Sequence, residues 1–130
     1  MTELKHKEIT DKILNAFYTV YNELGAGFLE SVYEKAIALV LKESELKIES
    51  QKQLSVYFRN TIIGEFKPDL IINNCVIVEL KAVKAIVPEH EAQLINYLKA
   101  TGVEVGLLLN FGDKPEFKRI VYENKRKNRL

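Results

Sequence analysis

Lys67-Pro68-Asp69, then nine residues, then Glu79-Leu80-Lys81 is the stretch whose residue types and spacing can do chemistry. It presents two carboxylates and one amine. Two carboxylates brought together can hold a divalent cation through oxygen ligands. A lysine beside them can orient a water or a phosphate oxygen. That is the minimum equipment for metal-assisted phosphodiester cleavage.

Whether these groups meet depends on the strands that carry them. Cys75 to Ala82 is the most strand-like run in the chain. Side chains alternate across a strand, so Glu79 and Lys81 share a face with Cys75 and Ile77, while Val76, Val78, Leu80 and Ala82 take the other. A charged pair on an apolar strand is costly to bury unless it is satisfied. The competing reading places Glu79 and Lys81 at a solvent-facing strand end. Asp69 adds a constraint, because a two-residue loop at Asn73-Asn74 would set it opposite Val78, pointing away from Glu79. Convergence needs an odd-length connection such as Asn73-Asn74-Cys75, or a bulge near Pro68.

The remaining elements follow from periodicity and punctuation. Ile9, Ile13, Leu14, Phe17, Val20, Tyr21 and Leu24 recur at helical spacing until Gly25 and Gly27. A second helix is predicted from about Phe28 to Ser44. Strands are predicted near Gln53–Phe58 and Ile62–Ile72, the latter interrupted by Gly64 and Pro68. A helix opens at Pro88 and ends at Gly102. Val103–Leu109 reads as a buried strand, and Phe117–Tyr122 as a short last one. The order is α, α, β, β, β, α, β, β, with a right-handed crossover and a mixed sheet.

Two helices bring further polar groups. With Leu29 at zero and about 100° per residue, Val32, Tyr33, Ala36, Ile37, Leu39, Val40 and Leu41 fall in one apolar arc. Glu30 falls inside that arc, and Glu34 on the polar side. A core-facing Glu30 needs a cation or several donors: a salt bridge to a lysine such as Lys81, or a metal or its water. In the later helix, Gln93 and Tyr97 lie one turn apart and project together, able to position phosphate oxygens or a water. The bland alternative for them is a helix flank at the sheet edge. For His90 a surface role outweighs contact with substrate.

At 130 residues the chain fits one domain, residues 1–130, with a flexible basic tail over 125–130. A formal charge of +1 excludes strong overall attraction to nucleic acid and leaves only local patches. Lys84, Lys99, Lys114, Lys118, Arg119 and the tail are the candidates for phosphate contacts. The single cysteine, Cys75, excludes an intramolecular disulfide and fits a reducing compartment. Residues Met1 to His6 hold no signal-peptide core, and no run is apolar enough to span a bilayer. A cytoplasmic protein is expected.

The run Gly27-Phe28-Leu29-Glu30-Ser31-Val32-Tyr33 carries the GxxExxY pattern. With Ile77-Val78-Glu79-Leu80-Lys81-Ala82, the helix Glu91–Leu98 and Leu107-Leu108-Leu109-Asn110-Phe111-Gly112, the chain resembles the GxxExxY proteins, a branch of the PD-(D/E)xK nuclease superfamily. The resemblance runs from about Ile9 to Tyr122. It implies a restriction-endonuclease-like α/β core (αβββαβ), a mixed central sheet flanked by helices, with an extra N-terminal helix. It implies Asp69 and Glu79 as metal carboxylates, with Lys81 completing the triplet and the Leu80 carbonyl an extra ligand. Gln93 and Tyr97 match the QxxxY pattern of RecB-like members, and Glu30 the first-helix acid. The histidine such members often carry upstream of the aspartate has no counterpart here, since His6 is too close to the terminus. The expectation is a Mg²⁺- or Mn²⁺-dependent nuclease acting on DNA, as a homodimer. The rival expectations are a catalytically silent module that binds nucleic acid or protein, and a structural dimer with a buried ion network.

Overall fold

The computed structural model describes residues 4–127. The start and end of the expected N-terminal and tail readings, residues 1–3 and 128–130, lie outside the described residues. Two helices come first, α1 (Lys7–Leu24) and α2 (Glu30–Lys42). Strands β1 (Ile48–Ser50), β2 (Leu54–Phe58), β3 (Thr61–Phe66), β4 (Leu70–Ile72) and β5 (Val76–Lys81) follow. Helix α3 (Pro88–Ala100), β6 (Val105–Phe111), β7 (Pro115–Val121) and a 3₁₀ turn (Asn124–Arg126) complete the described residues.

Five strands form one sheet in the order β1-β4-β5-β6-β7, and β2 and β3 form a separate pair. Among the described strands only β5 and β6 run parallel, joined by the crossover helix α3. The strand faces follow the expected alternation. Leu70, Ile72, Val76, Val78, Leu80, Leu107 and Leu109 pack with α1 and α2 residues such as Phe17, Tyr33, Ile37 and Leu41. Ile71, Ile77 and Leu108 pack with Leu94 and Leu98 of α3. Each face of the sheet therefore has its own core, and neither is left to solvent.

The stretch expected as one strand over 62–72 is two. Ser50 faces Leu70 and Leu54 faces Phe66, so one register runs through both segments of this long hairpin. In that register Gln51 faces Asp69, and its N–H still donates to the Asp69 carbonyl at 3.1 Å. The next position opposes Lys52 to Pro68, which has no N–H to give, and there the ladder breaks. The distal half, β2–β3, leaves the main sheet at that break. The three-residue β1 was not anticipated; it exists because β4 supplies its partner.

Corrections elsewhere are local. In α2 the buried stripe is Tyr33, Ile37 and Leu41, while Leu29 (75%) and Leu39 (69%) are exposed. The arc expected around Leu29 is therefore narrower: packing of Tyr33, Ile37 and Leu41 against the sheet fixes the orientation of α2 and leaves Leu29 and Leu39 outside the contact. The Tyr33 hydroxyl donates to the Gly25 carbonyl at 2.6 Å and accepts the Phe28 N–H at 3.1 Å. Its ring stacks on Phe111, with centroids 4.0 Å apart. That tyrosine thus closes the α1–α2 connection, in which Gly25 and Gly27 both take positive φ, the backbone region glycine adopts most readily. At the other end, the described part of the expected tail makes contacts with the fold. Lys127 Nζ donates to the carbonyls of Thr101 and Val103, and the Arg126 guanidinium lies 4.5 Å over the Tyr122 ring.

Candidate active site

Ile72 pairs with Val76 and Leu70 with Val78, so Asn73, Asn74 and Cys75 make a three-residue loop. Asn73 and Asn74 both take positive φ, a conformation asparagine tolerates better than most residues. The odd count is what turns Asp69 toward Glu79. Continuing the register sets the two opposite each other on the α3 side of the sheet. The Asp69 N–H donates to Glu79 Oε1 at 2.9 Å, and the Leu80 N–H donates to Asp69 Oδ2 at 2.8 Å. Each carboxylate is thus oriented by backbone from the other's strand.

This acidic pair is only partly compensated. Glu79 is only 5% exposed. Burial and then the neighbouring Asp69 charge push its carboxyl up to about 8, against the lowering effect of the Asp69 N–H and of Lys81. No described lysine, arginine or histidine forms an ion pair with either acid. Two carboxylates that lack a counter-ion, one of them buried, suit a divalent cation that keeps several waters. Among the described residues no group of three or more His, Cys, Asp or Glu could hold a metal ion, so a closed three-acid cage is not formed.

Glu30 is the expected site residue that stays apart. It lies on the meridian of the buried stripe but in the first turn of α2, and is exposed. It makes no ion pair with Lys81. Its charge still reaches Glu79, raising that carboxyl slightly further. One turn on, Glu34 occupies the position sequence reasoning gave to solvent. Gln51 Nε2 donates to Glu34 Oε1 at 2.7 Å and to Asp69 Oδ1 at 3.3 Å. Burial raises the Glu34 carboxyl, the Gln51 bond opposes that, and the Asp69 charge adds to it. The i, i+4 spacing from Glu30 was the available signal for Glu34. Gln51 left none, because its role depends on a bent hairpin.

On the other flank, Gln93 Nε2 donates to the Tyr97 hydroxyl at 2.8 Å. Burial and the charge of Glu79 raise the Tyr97 hydroxyl, so this pair belongs to the same electrostatic neighbourhood. The Phe66 ring lies flat on Tyr97, with centroids 4.3 Å apart. His90 is a cap: its Nδ1 accepts the Val87 N–H at 3.1 Å.

Lys81 is half-buried at the end of β5, opposite Asn110 of β6. The loop beyond it is clamped by that asparagine, which is fully buried. Val83 N–H donates to Asn110 Oδ1 at 3.0 Å, and Asn110 Nδ2 donates to the Val83 carbonyl at 2.9 Å. Gly112 packs against the same carbonyl so closely that a Cβ there would sit 2.4 Å from it. Lys81 therefore projects from a strand end held on both sides.

Residues 7–120 match the family model of the PD-(D/E)XK nuclease superfamily. The chain is also similar to the crystal structure of SSO0001, at 19% identity and a TM-score of 0.57, over 89% of this chain and 59% of that one. That likeness bears on the fold alone, and this chain spans about three-fifths of that protein's length. No curated protein matches.

Proposed function

The chain belongs to the PD-(D/E)XK nuclease superfamily, and from that premise we propose that it is a divalent-metal-dependent nuclease hydrolysing phosphodiester bonds of DNA. The reading extends to the GxxExxY branch, to Mg²⁺ or Mn²⁺ as the ion, to a homodimer and to the cytoplasm. Among the described residues, no helix is long and apolar enough to cross a membrane.

The observation that carries this reading is the approach of Asp69 to Glu79 across the three-residue loop, with Lys81 two residues further on the same strand face. Asp69 and Glu79, with the Leu80 carbonyl, would hold the ion. When bound, the ion supplies Lewis-acid polarisation of the phosphate and a water of lowered pKa. Lys81 orients the attacking water and offsets charge developing on the phosphorus oxygens. Gln93 and Tyr97, already bonded to each other, position the scissile strand. Glu30 and Glu34 add negative charge at the rim, where Glu30 would support a water of the bound ion.

The test is cleavage of single-stranded, duplex and branched DNA with Mg²⁺ or Mn²⁺, wild type against Lys81→Ala. Metal-dependent cleavage lost in the variant, with DNA binding kept, supports the enzyme. No cleavage of any substrate by the wild type supports the second reading, a nuclease-fold module that binds nucleic acid or protein. That second reading draws on the absence of a three-acid cluster among the described residues.

A further inference from the structure

We propose that the distal hairpin, β2–β3, is an arm that binds unpaired nucleotides of the strand whose phosphodiester reaches Lys81. This inference rests on the nuclease reading for its substrate, and on separate observations for the arm.

The hairpin departs from the sheet at the site itself, because Pro68 opposes Lys52 and stops the ladder there. Both of its roots touch candidate catalytic groups. One root is Gln51, whose amide bridges Asp69 and Glu34. The other is Phe66, whose ring is stacked on Tyr97. From Phe66 the strand runs roughly 17 Å to Thr61 at about 3.3 Å per residue, the length of a few nucleotides.

The surface of the arm suits a polyanion with accessible bases. Residues 52–67 contain Lys52, Arg59 and Lys67 against one acid, Glu65. This short segment carries a formal +2, whereas the whole chain carries +1, so the rest is slightly acidic. Lys52 is paired with Glu49 at 3.1 Å. Arg59 sits in the turn, its guanidinium 5.1 Å over the Phe58 ring. Tyr57 is 63% exposed and Phe58 46%. Neighbouring residues on a strand face opposite ways, so each side of the tip offers one aromatic ring. Ile62 and Ile63 extend the apolar surface beside Tyr57, where the register shifts. Rings and guanidinium planes stack on bases of any sequence, but only on bases freed from a duplex. A two-stranded hairpin is also marginal alone and gains order from a partner laid along it.

The choice of nucleic acid over a second protein surface rests on the charge, because an aliphatic partner would have no use for Arg59 and Lys67. The test is fluorescence anisotropy of a labelled oligothymidylate and a matched duplex, in EDTA so that no cleavage occurs. The probes are the full-length wild type and the variants Tyr57→Ser, Phe58→Ser and Arg59→Ala, singly and combined. The expected result is at least tenfold weaker binding of the single strand by the combined variant, with a shallower salt dependence for Arg59→Ala. Arg59→Lys is expected to restore the salt dependence but not the full affinity, since it keeps the charge without the planar stack. These side chains are exposed, and unchanged melting temperatures of the single variants show that folding is not the cause.

Equal single-strand binding by wild type and variants would overturn the arm. So would conversion of a dimer to a monomer with binding retained, which would give the apolar face to a second copy. Hydrolysis of a small phosphodiester by the wild type, lost in Lys81→Ala, judges the nuclease reading separately. Either result can therefore fail alone.

Discussion

Glu79 accepts the backbone N–H of Asp69 at 2.9 Å while its own buried carboxyl is pushed up to about 8, chiefly by loss of water and next by the Asp69 charge. The folded protein therefore binds a proton that the unfolded chain releases near its ordinary value of 4.5. Stability from this group is fully present below that value. It declines as pH rises and is lost once pH passes about 8. Thermal melting of metal-free protein is expected to fall between pH 5 and pH 8, and the fall to shrink in Glu79→Gln. A flat profile for the wild type, or the same slope in the variant, would refute the assignment.

Divalent ions should reverse that trend. A cation held by Asp69 and Glu79 competes with the proton, so its stabilising effect grows with pH up to about 8. Added Mg²⁺ or Mn²⁺ is expected to raise the melting temperature by ordinary linkage. Asp69→Asn should abolish the rise. Retention of the full rise in that variant would place the ion elsewhere.

Gln51 acts through Asp69. Its amide holds one Asp69 oxygen at 3.3 Å while its backbone N–H holds the Asp69 carbonyl at 3.1 Å. Gln51→Ala removes the amide's bonds to Asp69 and to Glu34 and keeps the backbone one. The expected effect is a several-fold higher Mg²⁺ concentration for half-maximal stabilisation, with the metal-free melting temperature changed little. If metal dependence is unaltered, the amide does not position the carboxylate.

Asn110 satisfies both backbone polar groups of Val83, two residues beyond Lys81. Asn110→Ala leaves the Val83 N–H and carbonyl without their side-chain partner in a half-buried loop. Denaturant unfolding should show a loss of about 1–3 kcal/mol, from two hydrogen bonds of about 0.5–1.5 kcal/mol each. Cleavage should fall more than stability alone accounts for, since Lys81 loses its anchored neighbour. Measured at a temperature where the variant is fully folded, wild-type activity would contradict this.

Tyr33→Phe removes one hydroxyl that serves Gly25 and Phe28 at 2.6 and 3.1 Å. The ring and its stack on Phe111 remain. Stability should drop by about 1–3 kcal/mol from the unpaired groups. Metal-dependent stabilisation at Asp69 should persist, because Tyr33 serves the α1–α2 connection and not the acids. Loss of the metal response would show that the connection also sets the site.

Much of this protein was determined along the chain. Alternation in Val76–Lys81 decides which residues share a face, because successive side chains on a strand must point oppositely. Asn73-Asn74 marks the turn, and the structure settles the parity that the chain left open, a three-residue loop that makes Asp69 and Glu79 meet. The spacing of Gln93 and Tyr97 decides their hydrogen bond. All of these are short-range consequences of backbone geometry. The rest needed partners distant in sequence. Ile48–Ser50 becomes a strand only against β4, and the rotation of α2 is fixed by the sheet beneath Tyr33, Ile37 and Leu41. The same rotation brings Glu34 to Gln51 and leaves Glu30 at the rim. Which acids share one electrostatic neighbourhood was thus settled by packing, since burial and proximity are properties of the assembled layers and of no single segment.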